Sequence, residues 1–218
     1  SKGPLNNAFV FVDLDGDGEL DANETEYSTW TDADGAYSIA NVSDVSSNSV
    51  LRVLTRDLAA EAGIDVTGRN ATTDGSTGQA LSGVVLSAPV PTDTTDDAGR
   101  MVTPVTTMVA SSDLTPAQVA DVLGLPDGLD PLTFNPYASG VTAADALAAE
   151  KAAHQIMNVI GSLASAGVGG GVDASDSYGA AITALVEVIE ETANVNGATI
   201  DLAEVDNLSD IVSKFKDA

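Results

Sequence analysis

The sequence predicts an α+β protein, with an antiparallel β-sandwich of the Ig-like or prealbumin-like type over residues 1–100 and a small helical bundle over residues 101–218. Two observations support this division. The first part alternates short apolar runs with Asp, Gly, Ser and Thr turn signals, which is typical of antiparallel strands. The second part repeats its apolar residues at helical spacing and has legible helix starts. We therefore expect two structural domains.

The first domain contains five predicted strands, over residues 8–13, 27–31, 36–39, 49–55 and 80–88. Residues 32–35, with the sequence D-A-D-G, lie between two of these strands and have the composition of a hairpin turn. Residues 69–78 are small and polar, so we expect a loop there. Residues 89–99 are predicted to link the two domains.

The second domain shows three clear helix starts. Thr103 and Thr115 each precede a proline, which places a hydroxyl N-cap before proline at the first helical position. Gln118 completes a capping box with Thr115. Thr142 and Asp145 repeat this pattern loosely and open a long helix, which should end in the glycine run 167–171. Its predicted buried stripe consists of Ala146, Ala149, Ala153, Ile156, Met157, Ile160, Leu163 and Ala164.

Two further helices complete the predicted bundle. The first spans about residues 176–193 and should bury Ile182, Leu185, Val186 and Ile189. Residues 124–140 contain three prolines and cannot form a continuous helix, so we expect Leu132, Phe134 and Tyr137 to pack against the bundle. The last helix should present an apolar stripe of Leu202, Val205, Leu208, Ile211, Val212 and Phe215.

Composition excludes several functional classes. The chain has 33 acidic and 8 basic residues and a formal net charge of −25, which repels nucleic-acid phosphates and anionic lipid head groups. Hydrophobic residues make up 44% of the chain, so the acidity does not indicate disorder. There is no cysteine, which excludes disulfides and thiolate chemistry. No apolar stretch approaches the roughly 18 residues of a membrane span, so we predict no membrane insertion.

One chemical motif is complete. Residues 13–24, D-L-D-G-D-G-E-L-D-A-N-E, match the twelve-residue calcium loop D-x-D-x-D-G-x5-E at every specified position. The spacing turns alternate side chains inward, while Gly18 supplies the turn and Leu20 anchors the loop to the core. The predicted metal ligands are the carboxylates of Asp13, Asp15 and Asp17, the carbonyl of Glu19, Asp21 directly or through water, and the bidentate carboxylate of Glu24.

The chemistry of this loop favours calcium as a folding ligand. Two carboxylates about 5 Å apart repel by roughly 3 kcal/mol at an effective dielectric constant near 20, so an empty loop would be strained. Magnesium suits the loop less well because it requires strict octahedral geometry. A solvated acidic turn without metal is the structural alternative.

The surroundings of the loop indicate a structural clip, that is, a calcium site that stabilises the fold and does not change its conformation as a signal. The loop enters from a predicted strand and leaves toward another, unlike the helix–loop–helix of a calcium sensor. Asp32 and Asp34 lie in a turn of the same domain. They either complete this site, form another one, or act only as turn formers.

The strand at residues 8–12, the acidic loop and residues 31–38, T-D-A-D-G-A-Y-S, together resemble B-type (SdrD/CnaB-like, prealbumin-like) repeats of bacterial surface proteins. The likeness covers about the first 90 residues and implies a calcium-binding β-sandwich that serves as a stalk module. Such modules often carry a Lys–Asn isopeptide crosslink, for which Lys2 is the only lysine in this half.

The second domain is similar to a helical module of very large calcium-dependent surface or adhesin-like proteins of marine bacteria. The likeness rests on residues 102–107, V-T-P-V-T-T, and residues 123–136, L-G-L-P-D-G-L-D-P-L-T-F-N-P. It implies a tandem or polymeric extracellular architecture, although this chain contains one copy and no internal repeat.

Enzyme signatures are missing from the sequence. There is no G-x-S-x-G elbow, no Walker loop and no H-E-x-x-H motif, and the single histidine, His154, is predicted to lie on a helix surface. An acid-catalysed hydrolase would need two close carboxylates in a cleft. We therefore expect a protein that is not an enzyme.

The leading hypothesis is a calcium-stabilised extracellular structural module of a bacterial surface adhesin or a self-assembling filament. Its expected partners are copies of itself or neighbouring repeats, and an edge strand or residues 1–7 would pair with the neighbour. The alternative is a module that binds a glycan or peptide through calcium. That alternative predicts an open coordination position and exposed aromatic side chains beside the loop.

Overall fold

The computed structural model describes residues 4–40, 42–90 and 101–217. The chain divides into two compact units, Ser1–Thr103 and Pro104–Ala218. Strands occupy the first unit and the longer helices the second, so the α+β class is confirmed. Of the predicted linker, Pro89 ends a strand, and residues 91–99 lie outside the described part of the chain.

The larger sheet of the N-terminal unit has four antiparallel strands, β2 Phe9–Asp13, β3 Ser28–Trp30, β4 Val50–Leu54 and β6 Val85–Pro89. Their order in the sheet is β3-β2-β4-β6. In the pairing register, Phe9 of β2 lies opposite Trp30 of β3 and Leu54 of β4, while Asp13 at the other end of β2 lies opposite Val50.

Both faces of this sheet carry buried residues. Along β2, aromatic residues point to one face and β-branched residues to the other. One face carries Phe9 and Phe11, which form a small core with Leu54 and Ala59. The opposite face carries buried residues of three strands. They are Val10, Val12, Leu51, Val53, Leu86 and Ala88.

A second, two-stranded sheet pairs β1 Leu5–Asn6 with β5 Thr73–Asp74. One edge of β1 is therefore already paired within the chain. Of the segment 1–7 proposed for contacts between subunits, residues 1–3 lie outside the described residues. Lys2, the only lysine of this half, is among them.

Three sequence expectations for this unit are wrong. Residues 69–78 were expected to form a loop, but they contain strand β5 Thr73–Asp74. Residues 36–39 form no strand, although the turn before them is present, with the Asp32 carboxylate accepting the N–H groups of Asp34 and Ala36. Between residues 80 and 88, the strand begins only at Val85. The sequence analysis also missed a short helix, α1 Arg56–Glu61, which presents Ala59 to the core.

The C-terminal unit contains five helices among its described residues, and three of them start directly after the predicted cap residues Thr103, Thr115 and Thr142. Thr115 and Gln118 form the complete capping box, and the Thr142 hydroxyl accepts the N–H of Asp145. The long helix ends at Gly169, inside the glycine run. The helices are α2 Pro104–Ala110, α3 Pro116–Val122, α4 Ala143–Gly169, α5 Ala174–Ala193 and α6 Val205–Asp217.

The core of this unit is apolar and draws on all five helices. The stripe of α4 is rotated from the prediction, because Ala152 and Val159 are buried in place of Ala146 and Met157. Three predicted core residues are exposed instead: Tyr137 by 47%, Val205 by 75% and Val212 by 36%. Other residues pack against the core as partly buried side chains, namely Leu129, Leu132, Ile182, Leu208 and Phe215.

Candidate metal centre

The acidic loop joins β2 to β3, with a single 3-10 turn over Thr25–Tyr27 before the second strand. Asp13, the first residue of the motif, is also the last residue of β2 and is completely buried. Glu24, its last residue, is 1% exposed. The loop therefore starts and closes on buried carboxylates, while Asp15, Asp17, Glu19 and Asp21 between them are exposed.

Both oxygens of Asp13 accept hydrogen bonds. Oδ1 accepts the N–H of Gly16 at 2.6 Å, and Oδ2 accepts the N–H of Gly18 at 2.9 Å. Oδ2 also lies 2.5 Å from Nε of Arg52, which donates to it from β4. Each carboxylate oxygen has two lone pairs, so Oδ1 retains one for a cation.

Glu24 closes the loop from its far end. Its Oε1 accepts the N–H of Leu14 at 2.6 Å, and its Oε2 accepts the N–H of Asp21 at 2.9 Å. One lone pair remains on each oxygen, which is what bidentate coordination requires. In the described part of the chain, no basic side chain forms an ion pair with Glu24.

Three of the predicted ligands converge. One carboxylate oxygen from each of Asp13, Asp15 and Asp17 lies within 4.8 Å of the others. Asp15 and Asp17 are held by the backbone, since they accept the N–H groups of Asp17 and Glu19, respectively. Short-range turns of this kind fix acidic side chains on the inner side of a loop.

The other predicted ligands, Glu19, Asp21 and Glu24, do not belong to this group of three carboxylates. Glu24 lies outside the group of three carboxylates, although its hydrogen bonds to Leu14 and Asp21 direct it into the same loop. Glu19 and Asp21 are exposed and also lie outside the group. Glu19 was predicted to contribute its carbonyl oxygen, and Asp21 a direct or water-mediated contact. Their roles stay predictions.

Two glycines allow the tight winding of the loop. Gly16 and Gly18 have φ angles of +81° and +90°, a region that residues with a side chain rarely adopt. A Cβ on Gly16 would also lie 2.5 Å from the carbonyl oxygen of Asn48. The loop is thus pressed against the turn that precedes β4.

Contacts with the rest of the unit fix the loop in place. The Ser49 hydroxyl donates to the Leu14 carbonyl at 2.7 Å. Leu20 packs against the core that contains Phe9 and Phe11, as the sequence analysis predicted. At the exit, the Tyr27 side chain is buried and its hydroxyl lies 2.8 Å from Oγ of Ser43.

Arg52 is the residue that the sequence analysis missed. Its side chain is 20% exposed and lies on the same face of the sheet as Asp13, because Val50, two residues before it, lies opposite Asp13. A single charged residue in the apolar run V-L-R-V-L was a usable signal. Strand residues of this kind face a buried partner or the solvent.

Asp32 and Asp34 do not join the group of three carboxylates. They follow β3, whose last residue, Trp30, lies opposite Phe9. Phe9 and Asp13 are the two ends of β2, about 13 Å apart at the usual rise per residue. The Asp32 carboxylate caps its own turn.

The donor set fits a hard divalent cation. It consists of oxygen atoms alone, which calcium and magnesium prefer, and contains none of the imidazole or thiolate donors that zinc and copper prefer. His154 lies exposed on α4 in the other unit. The loop carries six carboxylates, and Arg52 pairs with one of them, Asp13, so a divalent ion would reduce an uncompensated negative charge.

Comparison of the chain with protein-family models, curated proteins and solved structures finds no match. No helix among the described residues combines the length and the apolar character needed to cross a bilayer.

Proposed function

We propose that the N-terminal unit is a calcium-stabilised structural module, and that the chain is an extracellular building block of a bacterial surface adhesin or a self-assembling filament. The observation that carries this proposal is a loop that begins and ends on buried carboxylates, Asp13 and Glu24. Burial of an ionised carboxylate is costly unless it is paired or coordinates a metal. The unit therefore gains stability from a bound cation.

The charge of the loop supports a divalent ion in particular. Asp13 has a basic partner in Arg52, whereas the described ion pairs provide none for Asp15, Asp17 or Glu24. The convergence of Asp13, Asp15 and Asp17 concentrates this negative charge. Calcium accepts six to eight oxygen ligands in variable geometry, so it tolerates a loop that mixes carboxylate, carbonyl and water oxygens.

The position of the loop supports a clip rather than a switch. A sensor loop lies between two helices and opens a groove when calcium binds. Here the loop bridges two strands of one sheet, and Leu20 packs into the core. An ion in the loop would hold the β2–β3 connection against β4, because Asp13 belongs to the sheet itself.

The finer architecture that we propose is a β-sandwich of the Ig-like or prealbumin-like type. Its support is the antiparallel four-stranded sheet, one face of which carries buried Val, Leu and Ala side chains of three strands. In a β-sandwich, such a face packs against a second sheet.

An extracellular location agrees with the composition. The chain contains no cysteine and has a net charge of −25, which keeps proteins dispersed in salt-rich surroundings. Copies of the same chain or neighbouring repeats are the proposed partners. Among the described strands, β3 is an edge strand of the larger sheet and is available to this role by its position.

Calcium-dependent binding of a glycan or peptide ranks second. It would need exposed aromatic side chains beside the loop. Tyr27, next to the loop, is buried, and Trp30 lies at the opposite end of β2 with Arg69 stacked 4.1 Å from its ring. These contacts favour the structural role.

Thermal unfolding with calcium, with magnesium and with a chelator tests the proposal. Trp30 is the only tryptophan of the chain, so its fluorescence reports on the N-terminal unit. Calcium at about 100 times its dissociation constant should stabilise this unit by about 2.7 kcal/mol, which raises the melting temperature by about 10–20 °C. Magnesium should give a smaller shift.

Two matched variants locate the effect. Asp15→Asn should abolish most of the calcium-dependent shift, because it removes one converging carboxylate. Asp34→Asn makes the same charge change at the other end of the sheet and should retain the full shift. A wild-type melting temperature that calcium does not move would refute the proposal, as would a full shift in Asp15→Asn.

Sedimentation and electron microscopy, with calcium and with chelator, test the assembly. We expect larger species or filaments with calcium, because the ion would brace the sheet whose edge strand makes the contact. Monomers under both conditions at every concentration would contradict self-association, while leaving the calcium clip intact.

A further inference from the structure

We propose that Arg52 sets the calcium affinity of the loop, by acting as a resident cation on Asp13 that repels a bound calcium ion. This inference rests on the calcium site proposed above and concerns its regulation. It starts from an ion pair within the N-terminal unit, Arg52–Asp13.

The guanidinium of Arg52 lies at the loop itself. Its Nε is 2.5 Å from Oδ2 of the fully buried Asp13. Its Nη2 lies 3.6 Å from the position that a Cβ on Gly18 would occupy. Arg52 therefore contacts the first ligand of the loop and lies beside the glycine that turns it.

This contact determines how Asp13 would bind an ion. Oδ2 accepts hydrogen bonds from both Gly18 and Arg52, which use its two lone pairs. Oδ1 accepts only the N–H of Gly16 among the described hydrogen bonds. Asp13 is thereby held as a ligand through one oxygen, and Arg52 is a positioning residue for it.

The charge of Arg52 acts in two opposite ways. Without calcium, the guanidinium compensates the buried Asp13 and keeps the loop folded. With calcium bound, the unit positive charge of Arg52 repels the divalent ion, which we expect to lower the affinity by roughly tenfold. The result is a loop that folds before it is loaded and fills only at high calcium.

The wild-type dissociation constant should accordingly lie at about 10⁻⁴–10⁻³ M, the range of extracellular calcium modules rather than of intracellular sensors. Calorimetric titration of the full chain with calcium measures this value. Arg52→Gln should lower the dissociation constant about tenfold. In chelator, the same variant should melt at a lower temperature than the wild type, because Asp13 loses its partner.

Two control variants separate charge from shape. Arg52→Lys keeps the positive charge and should bind calcium with nearly the wild-type affinity. Arg69→Gln makes the same charge change in the same unit, but Arg69 stacks on Trp30 at the far end of β2. The length of β2, about 13 Å at the usual rise per residue, exceeds the Debye length of about 8 Å at physiological salt. The calcium affinity of Arg69→Gln should therefore equal that of the wild type.

The outcomes are distinct. If Arg52→Gln binds calcium no more tightly than the wild type, the Arg52 proposal fails and the calcium site stands. If the wild type binds no calcium at millimolar concentration, both proposals fail. Equal gains in Arg52→Gln and Arg69→Gln would show a general charge effect and would also overturn the proposal.

If Arg52→Gln folds only with calcium, a kinetic measurement tests the proposal instead. The loaded Arg52→Gln protein is then mixed with a chelator, and the release of calcium is followed in time. We expect release at least about fivefold slower than from the wild type, since the repelling charge is gone. Equal or faster release would overturn the proposal.

Discussion

The two units of the chain bury different polar groups. The described N-terminal unit buries three carboxylates, whereas the polar side chains buried in the described C-terminal unit carry only hydroxyl groups. The carboxylates belong to Asp13, Glu24 and Asp74, and the hydroxyls to Thr106, Thr107 and Ser177. An ionised group costs far more to bury than a hydroxyl, so the N-terminal unit depends on compensation that the C-terminal unit does not need.

The three carboxylates are compensated to different degrees. Asp74 accepts two N–H groups and a hydroxyl, from Ser76 and Thr77. Asp13 has Arg52, but Glu24 has two backbone N–H groups and no basic partner among the described ion pairs. The stability of the N-terminal unit should therefore respond to cations, and that of the C-terminal unit to apolar packing.

The largest expected effect sharpens this contrast from the helical side. Leu185 of α5 is completely buried in the apolar core. Leu185→Ala should destabilise the C-terminal unit by about 2–5 kcal/mol, because it removes buried methyl groups and leaves a cavity. Urea unfolding followed by ellipticity at 222 nm, which the helices dominate, measures the loss.

Leu147→Ala is the matched control, since Leu147 is 69% exposed on α4. It should change stability by less than about 0.5 kcal/mol. The calcium-dependent shift of Trp30 fluorescence should persist in Leu185→Ala. Loss of that shift would break the contrast, because it would make the cation response depend on the helical core.

The second prediction concerns the loop and has a smaller effect. Gly16→Ala places a methyl group 2.5 Å from the backbone oxygen of Asn48 at a φ of +81°. We expect a loss of about 2–3 kcal/mol in the N-terminal unit, from the unfavourable backbone region together with the steric clash. Urea unfolding followed by Trp30 fluorescence measures it.

Gly63→Ala separates these two causes. Gly63 has nearly the same φ, +83°, but nothing lies within 4 Å of a Cβ placed there. Gly63→Ala should destabilise the N-terminal unit only through the unfavourable backbone region, by about 1–2 kcal/mol. Equal losses at both glycines would mean that the turn before β4 does not constrain the loop.

Local signals made parts of the fold predictable. The capping box of Thr115 and Gln118 is a pattern of adjacent residues, and the structure contains it as predicted. Strands β2 and β4 were predicted because their apolar runs need no distant partner to be recognised. The acidic loop was likewise visible as a spacing pattern, although its occupation by calcium stays a proposal.

The errors arise where contacts between residues far apart in the sequence determine the structure. Residues 36–39 have the composition of a strand, but β2 already pairs with β3 on one side and β4 on the other. Val205 and Val212 fit the stripe of α6, yet the helix presents Ile211 to the core. Arg52 was missed because its partner, Asp13, lies 39 residues earlier, and a sequence pattern does not reveal that pairing.

The last prediction has the smallest effect and concerns a surface ion pair of the helical unit. The N–H of Ala203, followed by Lys151 and Gln155, lowers the pKa of Asp201 below its ordinary value of 3.8. A carboxyl whose pKa falls on folding stabilises the protein above its unfolded pKa, and this contribution disappears as the pH falls through the folded pKa. Its contribution should therefore be complete at neutral pH and absent in strong acid.

Asp201→Asn should accordingly lower the melting temperature of the helical transition at pH 7 by only about 1–3 °C, because solvent screens exposed ion pairs. The difference from the wild type should shrink below about pH 4, as the pH falls from the unfolded pKa toward the lower folded pKa. Asp210→Asn, at an exposed position of α6, should show no such dependence. A difference that grows in acid would reverse the sign of the linkage and would contradict the prediction.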